Sequence, residues 1–353
     1  MNIRENVPLA PLTTLGVGGP ARYFVEAANT EEVRRAVDFA RSRQLSLFVL
    51  GGGSNVVVAD TGFPGLVLKI AIRGVTFHEE HGTAIFTVGA GEDWDMFVAD
   101  TVARNCAGIE CLSGIPGTVG GTPVQNVGAY GQEVSDTIRS VSALDLTTGE
   151  TRDFDRDECE FTYRGSRFNT SEPGRYVILH VTFALQPGGR SNVTYADLTR
   201  SFGKRQPTLA EVRAAVRDIR RSKGMLIVSD DDDCHSAGSF FKNPVLSSAA
   251  YRELQQRVAA RGLAIPAYPA LASQHKVPAA WLVEQAGFPK GYTHGPAGIS
   301  RKHALAIINR GGATAADILA LKSEIQCAVR DRFGVELHPE PVFVGFEEEA
   351  LGP

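Results

Sequence analysis

The chain has 353 residues, of which 43% are hydrophobic and 22% charged, a balance typical of globular proteins and unlike disordered or fibrous chains. At roughly 150 residues per domain, this length predicts two to three domains with a core that needs no disulfide or metal. The net charge of −4 provides no overall basic field for nucleic acid or an anionic membrane. Glycine is in excess, with 37 residues, and it is densest between Ser113 and Gly131.

Targeting and cysteine patterns favour the cytosol. No apolar run approaches the roughly 18 residues that span a bilayer, and the first residues lack a secretion signal. The five cysteines have no CxxC spacing, which fits reduced thiols. Adjacent Cys234 and His235 have no second ligand pair nearby, so no metal site is predicted. The sequence leaves the oligomeric state open, and a monomer is compatible with it.

The first strong pattern is a helix followed by a strand and a glycine turn. Asn29 is a candidate N-cap, and apolar residues at helical spacing predict a helix over 29–41. Residues 45–50 predict a buried strand that enters Gly51-Gly52-Gly53-Ser54-Asn55. Bare backbone N–H groups with a hydroxyl and an amide could bind phosphate. A tight structural turn is the alternative, and both the P-loop and dinucleotide motifs are missing from the sequence.

The second pattern is the irregular stretch 113–131. Its two prolines and six glycines exclude a regular helix or central strand through most of it. The backbone donors must then find other partners, and a bound diphosphate would supply them. A structural loop is the alternative, but irregular stretches of this length are usually functional.

The middle of the chain predicts strands over 141–146 and 175–185. Between them, residues 161–168 set polar groups among aromatic ones, which could form either a site or a solvated turn. Thr208 and Glu211 form a capping box for the next helix, whose predicted buried stripe is Leu209, Val212, Val216 and Ile219.

That helix carries Arg213, Arg217, Arg220 and Arg221 and leads to Lys223. These spacings predict a basic ridge. It could be a solvated face paired with nearby acids, but a seat for an anionic, phosphorylated substrate is favoured.

The C-terminal third begins with an acidic run, 230–233, which is expected to be an exposed loop with only a weak potential for cation binding. Ser239 lacks the G-x-S-x-G elbow of hydrolases, so a Ser-His-Asp triad is disfavoured. Helices are predicted over 248–261, 278–286 and 314–333, and a closing strand over 335–344. The overall pattern is α+β rather than repeated βαβ units.

Six segments, taken together and in order, resemble the UDP-N-acetylenolpyruvoylglucosamine reductases (MurB) over nearly the whole chain. They are residues 13–21, 51–55, 114–131, 163–168, 238–244 and 339–340. Residues 193–198 are similar to the type I subgroup, which has a tyrosine loop over the substrate.

The resemblance implies a two-part FAD-binding unit of the vanillyl-alcohol-oxidase type plus a C-terminal α+β substrate domain. The expected divisions are 1–70 with 340–353, then 71–222, then 223–339. FAD should bind noncovalently, because residues 51–55 contain no His or Cys, with NADPH as co-substrate.

The implied reaction reduces the enolpyruvyl group of UDP-N-acetyl-3-O-(1-carboxyvinyl)glucosamine to UDP-N-acetylmuramate for peptidoglycan. Hydride reaches substrate C3 from the reduced flavin, and negative charge builds toward C2 and the carboxylate. The matching catalytic residues are Arg164 for the carboxylate, Ser239 as proton donor and Glu340 as polarising or relay group.

The resemblance also implies binding residues. The substrate-side groups are Tyr195, Arg220, Lys223, Asn243 and Glu284. The flavin-side groups are Gly51, Gly52, Gly53, Ser54, Asn55, Ser113, Gly117, Thr118, Gly121, Thr122, Gln125 and Asn126.

Two other functions fit the sequence. One is an FAD oxidase or dehydrogenase of the same superfamily that acts on a small alcohol. The other is a sugar-nucleotide or flavin binding module without redox activity. Flavin reduction by NADPH followed by reoxidation by the enolpyruvyl substrate separates both from the reductase.

Overall fold

The computed structural model describes residues 1–266 and 274–347. The chain divides into two compact units. The first comprises Met1–Val7, Ala21–Gly53 and Pro64–Ser222, and the second comprises Pro8–Pro20, Ser54–Phe63 and Lys223–Pro353. The division into three parts stays a prediction, and residues 348–353 of its C-terminal segment lie outside the described residues.

The described residues mix helices and strands throughout. The strands are β1 (Ile3–Pro8), β2 (Pro20–Ala27), β3 (Leu47–Leu50), β4 (Val56–Val58), β5 (Phe63–Ile70), β6 (Val75–Glu80), β7 (Thr83–Gly89), β8 (Cys106–Ala107), β9 (Gly128–Ala129), β10 (Gln132–Glu133), β11 (Ile138–Asp145), β12 (Thr151–Asp155), β13 (Tyr176–Pro187), β14 (Val245–Ser247), β15 (Gln274–Lys276), β16 (Thr293–His294), β17 (Ala297–Ile299), β18 (Ile307–Asn309) and β19 (Val342–Val344). The α-helices are α1 (Thr30–Ser42), α2 (Trp94–Ala103), α3 (Ala196–Phe202), α4 (Leu209–Ser222), α5 (Ser248–Ala259), α6 (Ala279–Gln285) and α7 (Ala315–Phe333).

The first unit contains two main sheets. One has the order β1-β2-β5-β3, with β3 and β5 parallel. The other has the order β12-β11-β13-β7-β6, and β8 also pairs with β13. Along β13 the side chains of Val181, Phe183 and Leu185 are buried, whereas Thr182 and Ala184 between them are only partly buried. This alternation is typical of a strand with one face on the core.

Helix α1 forms as its sequence predicts. The Asn29 side chain accepts the Glu32 N–H at 2.9 Å, so the first turn has its capping partner. The buried residues of the helix are Val33, Ala36, Val37 and Ala40. Their spacing places one apolar stripe against the core of the first unit.

The second unit contains the antiparallel sheet β16-β17-β18, the pair β14-β15 and the parallel pair β19-β4. Helix α7 is fixed at both ends, since Thr314 and Asp317 form a capping box and Gly334 ends the helix with φ 69°. Asp60, just after β4, also accepts the N–H groups of Ala315 and Ala316 at 2.7 and 3.0 Å. The turn after β4 is therefore hydrogen-bonded to the first residues of α7.

The conspicuous Gly16–Gly19 segment packs the backbone of the second unit. A Cβ on Gly19 would lie 2.2 Å from the Asp60 carbonyl oxygen, and one on Gly62 would lie 1.9 Å from that of Pro20. Gly62 also has φ 81°, a backbone conformation that residues other than glycine rarely adopt. These glycines serve close backbone approach within the unit.

Three predicted elements are wrong in extent or burial. The strand predicted over 45–50 is β3, Leu47–Leu50, and only Leu50 is buried. The closing strand predicted over 335–344 is limited to Val342–Val344, because Pro339 and Pro341 lack the N–H groups that a longer ladder needs. On α4 the fourth buried residue is Arg220 and not Ile219.

Candidate active site

In the first unit the segment Gly51–Gly53 lies close to residues 117–118 of the glycine loop. A Cβ on Gly52 would lie 2.5 Å from Cα of Gly117, and one on Gly51 would lie 3.0 Å from Oγ1 of Thr118. Gly53 follows with φ 67°. Side chains at Gly51 and Gly52 would hold these segments apart, so glycine is needed for their close approach.

Gly120 and Gly121 differ in their surroundings. A Cβ on Gly120 would lie 2.6 Å from Cβ of Ala90, whereas one on Gly121 would meet no heavy atom within 4 Å. Gly121 is also exposed. Gly120 therefore packs against the protein, and Gly121 faces open space.

Three polar residues of the loop form hydrogen bonds within the protein. The hydroxyls of Ser113 and Thr122, both buried, donate to the carbonyls of Glu110 and Val119 at 2.6 and 2.8 Å. Asn126, with 1% of its surface exposed, has φ 45° and accepts the Ser135 N–H through Oδ1 at 3.2 Å. These bonds shape the loop, and the predicted flavin contacts of these residues remain predictions.

Arg164 lies at the tip of a tight turn closed by Thr162 and Gly165. The two residues exchange backbone hydrogen bonds of 2.9 and 3.2 Å, and Arg164 itself has φ 55°. Such a conformation is uncommon for a side-chain-bearing residue and is often found at functional sites. Residues 161–168 thus form an anchored turn.

The anchors of this turn come from the glycine loop. The Asn126 amide donates to the Thr162 carbonyl at 3.1 Å, and the Ser166 hydroxyl donates to the Val124 carbonyl at 2.7 Å. A Cβ on Gly128 would lie 3.4 Å from an Arg164 guanidinium nitrogen. The structure therefore brings Arg164 beside loop residues 124–128.

The predicted basic ridge on α4 does not exist as one surface. Arg213 and Arg217 both pair with Asp95, and the Arg213–Asp95 contact is bidentate. Arg221 is exposed and pairs with Asp218 on the same helix. Arg220 is buried and donates from Nε to the Gly114 carbonyl at 2.9 Å. The four arginines therefore do not form one exposed basic surface, because three of them are held by Asp95 or the Gly114 carbonyl.

Asp95 and Arg220 have shifted pKa values that reflect this packing. Burial disfavours the Asp95 carboxylate, but hydrogen bonds from Arg213 and the Gly114 N–H outweigh burial and lower its pKa. Burial lowers the pKa of the Arg220 guanidinium, and the Tyr130 hydroxyl opposes that effect. An arginine stays charged even so.

Tyr195, at the N-cap of α3, lies edge-on to Tyr130 with ring centroids 5.4 Å apart. The preceding Asn192 donates from its amide to the Gly131 carbonyl at 3.0 Å, and the Asn192 N–H donates to Glu110 at 2.9 Å. The tyrosine segment is therefore attached to the glycine loop. Tyr195 is 41% exposed, so its ring is accessible.

In the second unit, Ser239 and Glu340 come from segments that pair directly. The Glu340 N–H donates to the Phe240 carbonyl at 2.9 Å, and Phe241 forms an isolated bridge with Pro339. Asn55 joins the same segment, since its carbonyl accepts the Val342 N–H at 2.9 Å. Two of the three predicted catalytic residues thus have neighbouring backbones, and Arg164 belongs to the other unit.

The remaining predicted substrate residues differ in setting. The Asn243 side-chain oxygen accepts the Ala279 N–H at 2.9 Å and so helps to begin α6. Glu284 is exposed near the end of α6. Lys223 is partly buried and is the first residue of the second unit after α4.

The prediction that residues 230–233 form an exposed loop is wrong for two of the four. Asp233 is fully buried, and its carboxylate accepts from the Arg301 N–H and Nε, both at 3.0 Å. Asp231 is buried and pairs with Lys302 at 2.6 Å. The partners lie about 70 positions away in sequence, so the local charge pattern could not reveal them.

Sequence reasoning also missed Asp95, Tyr130 and Asn192 as organisers of the loop. Asp95 reads as an ordinary acid in the first turn of α2. The sequence offers only two signals, the position of Asp95 two residues after the N-cap Asp93 and the arginines four apart on a later helix.

Comparison with known proteins gives matches along the chain. Residues 21–155 match the family described as FAD binding domain, and residues 230–344 match that described as UDP-N-acetylenolpyruvoylglucosamine reductase, C-terminal domain. The reductase of Thermobifida fusca (strain YX) is 48% identical over 350 residues, which is 97% of this chain and 98% of that protein.

The chain belongs to the UDP-N-acetylenolpyruvoylglucosamine reductase family. A Streptomyces avermitilis member is also 48% identical, over 97% of this chain and 95% of its own length. The crystal structure of the Thermus caldophilus reductase (MurB) superposes with a TM-score of 0.66 and 26% identity, covering 97% of this chain and all of that one. The predicted family and the predicted fold class are confirmed.

For this reductase family member the predicted cofactor fits the site. The matched FAD binding domain contains the Gly51–Gly53 segment and the loop 113–131. The backbone contact of Gly52 with Gly117 and the open space beside Gly121 suit a phosphate-bearing cofactor. In the described part of the chain, no helix is both long and apolar enough for a membrane span, and no cluster of three metal-ligating side chains occurs.

Proposed function

We propose that this chain uses NADPH to reduce UDP-N-acetyl-3-O-(1-carboxyvinyl)glucosamine to UDP-N-acetylmuramate, in the cytosolic stage of peptidoglycan synthesis. Family membership at 48% identity supports the reaction type. The observation that supports the mechanism is the backbone hydrogen bond from the Glu340 N–H to the carbonyl of Phe240, the residue that follows Ser239.

FAD, when bound, accepts hydride from NADPH and passes it to the substrate. The protein holds this cofactor through Gly51–Gly53 and loop 113–131, with Ser54, Asn55, Thr118 and Gln125 as further contacts. Backbone N–H groups at Gly51–Gly53 bind the diphosphate. Those of Gly114, Gly120 and Gly121 donate to acceptors within the protein. Ser113, Thr122 and Asn126 act from inside the loop, because their side chains bond to the protein itself.

Arg164 stabilises the charge that develops on the substrate carboxylate. Its guanidinium offers a planar fork of donors that matches a carboxylate. The turn that carries it is fixed by Asn126 and Ser166, so little reorganisation is needed as charge builds.

Ser239 delivers a proton to substrate C2 after hydride has reached C3. Its neighbour Glu340 polarises the carboxylate region or returns a proton to the serine. Lys242, whose N–H is bound to the His338 carbonyl at 3.0 Å, lies on the same segment and eases loss of the serine proton.

Substrate is held by Tyr195, Lys223, Asn243 and Glu284. Tyr195 covers the bound sugar nucleotide, and Lys223 contributes point charge to its diphosphate. Arg220, predicted from the sequence to bind substrate, is buried against Gly114 and acts on the loop in this proposal.

The direct test supplies purified protein with FAD, NADPH and the enolpyruvyl substrate and analyses the product by mass spectrometry. The expected product is heavier by two hydrogen atoms and carries a new methyl group. Oxygen uptake with a small alcohol, with no NADPH consumption and no reduced sugar, would instead identify an oxidase.

A further inference from the structure

Gly114 begins the loop stretch that approaches Gly52, and both of its backbone polar groups are held by charged side chains. Its N–H donates to Asp95 Oδ1 at 2.6 Å, and its carbonyl accepts from Arg220 Nε at 2.9 Å. Gly114 is buried and has φ 72°. The position of Gly114 at the start of this stretch is therefore fixed by Asp95 on one side and Arg220 on the other.

The other end of the stretch 114–119 is fixed at the start of α2, the helix that carries Asp95. The Trp94 N–H donates to the Gly117 carbonyl at 3.1 Å, and Val119 donates to the Glu92 carbonyl at 2.9 Å. Residues 114–119 thus lie along the start of α2, with Asp95 at one end and Trp94 at the other.

Helix α4 orients Asp95. Arg213 holds its carboxylate through two nitrogens, and Arg217 contacts the same carboxylate. Asp95 pairs with Arg213 and Arg217, and Arg220 binds the carbonyl of the same Gly114 whose N–H Asp95 accepts, so these four side chains carry a net charge of +2. A cationic cluster beside a phosphate-binding backbone favours an anionic cofactor.

We propose that Asp95, Arg213, Arg217 and Arg220 are positioning residues of the flavin site, which fix Gly114 and so align residues 115–118 toward the FAD diphosphate. The inference rests on the proposed flavin site. It reassigns the α4 arginines from the substrate to the cofactor. Arg220 acts through Gly114 and Tyr130 and makes no contact with the sugar nucleotide.

The test measures FAD affinity of the apoprotein by fluorescence quenching for Asp95→Asn and Arg220→Met. Arg221→Met is the matched control, since it removes an exposed arginine of α4 that pairs with exposed Asp218 on the same helix. We expect the FAD dissociation constant to rise by about tenfold or more in both variants, in line with lost charged hydrogen bonds. The control should stay within about twofold.

A second readout separates cofactor from substrate. At saturating FAD, the KM for the enolpyruvyl sugar should change by less than about threefold, and the absorbance bands of the bound flavin should shift. An unchanged FAD affinity with a raised KM would overturn the proposal, as would an equal loss of FAD in the Arg221 variant. If Arg220→Met does not fold, the near-isosteric Asp95→Asn decides alone. A wild-type protein that binds FAD but does not reduce the sugar would contradict the proposed function and leave this inference standing.

Discussion

At the scale of single residues, Ser239 has a role that one substitution isolates. Only the second half of the proposed reaction needs a proton at C2, so Ser239→Ala should leave flavin reduction by NADPH within about twofold of wild type. Reoxidation by substrate should slow by about 10²- to 10⁴-fold, the usual contribution of a positioned proton donor. Stopped-flow absorbance measures both halves.

The matched control is Ser229→Ala, an exposed serine in the preceding loop. It should leave both half-reactions unchanged. Equal slowing of the two halves in Ser239→Ala would remove the proton-donor assignment, because a general disturbance of the site affects both.

Gly120 and Gly121 provide a pair of adjacent residues with opposite expectations. Gly121→Val points into open space and should raise the FAD dissociation constant by about tenfold while changing apoprotein stability by less than about 0.5 kcal/mol. Gly120→Val meets Ala90 and should destabilise the apoprotein by about 1–3 kcal/mol. Urea unfolding and flavin titration measure the two effects. If Gly121→Val binds FAD as tightly as wild type, the cofactor does not occupy the space beside Gly121.

Residue-level roles were predictable where the sequence pattern is local and not where partners are distant. Ser239 and Glu340 were selected by resemblance, and the structure brings their backbones together. The burial of Asp233 and Arg220 could not be predicted, because Arg301 and Gly114, their partners, come from remote parts of the chain. From the sequence alone, such charged side chains are therefore expected to face solvent or substrate.

At the scale of elements, the end of β11 depends on a charged contact. Asp145 accepts from Arg175 Nε and Nη2 at 3.1 and 2.7 Å and caps the following turn through Thr147. The Arg175 hydrogen bond is the main reason that its pKa falls to about 2, against burial that would raise it. A lowered folded-state pKa adds stability above the unfolded value near 4, and this stability is lost as pH falls toward 2.

Asp145→Asn should therefore lower the free energy of unfolding at pH 7 by about 1 kcal/mol, a value reduced for the partial exposure of Arg175. The difference from wild type should shrink between pH 4 and pH 2. Asp218→Asn, which removes an exposed ion pair, is the control and should cost almost nothing. Urea unfolding across this pH range measures both, and a difference independent of pH would contradict the charge argument.

Element prediction succeeded where capping chemistry marks the ends. Helices α1 and α7 begin after Asn29 and Thr314 as their capping residues require, and α7 ends at Gly334. Strands were less predictable, because their length depends on pairing partners. Residues 335–341 are apolar in part but have few ladder partners, so only Val342–Val344 pairs, with β4.

At the scale of the whole molecule, the α+β class, the family and the FAD binding domain followed from the order of motifs along the chain. The order of motifs does not predict how the segments of the chain are divided between the two units. Gly53 and Ser54 are neighbours in sequence but belong to different units, and residues 8–20 join the C-terminal one. Sequence order alone does not show such exchanges, because long-range contacts decide them.

The proposed reaction consists of two successive redox steps on one flavoprotein, and anaerobic stopped-flow absorbance at the oxidised-flavin band follows both. NADPH should bleach the bound flavin, and addition of the enolpyruvyl UDP-sugar to the bleached enzyme should restore the colour without oxygen. A flavin that stays bleached after substrate is added, or that NADPH never bleaches, would contradict the proposed reaction.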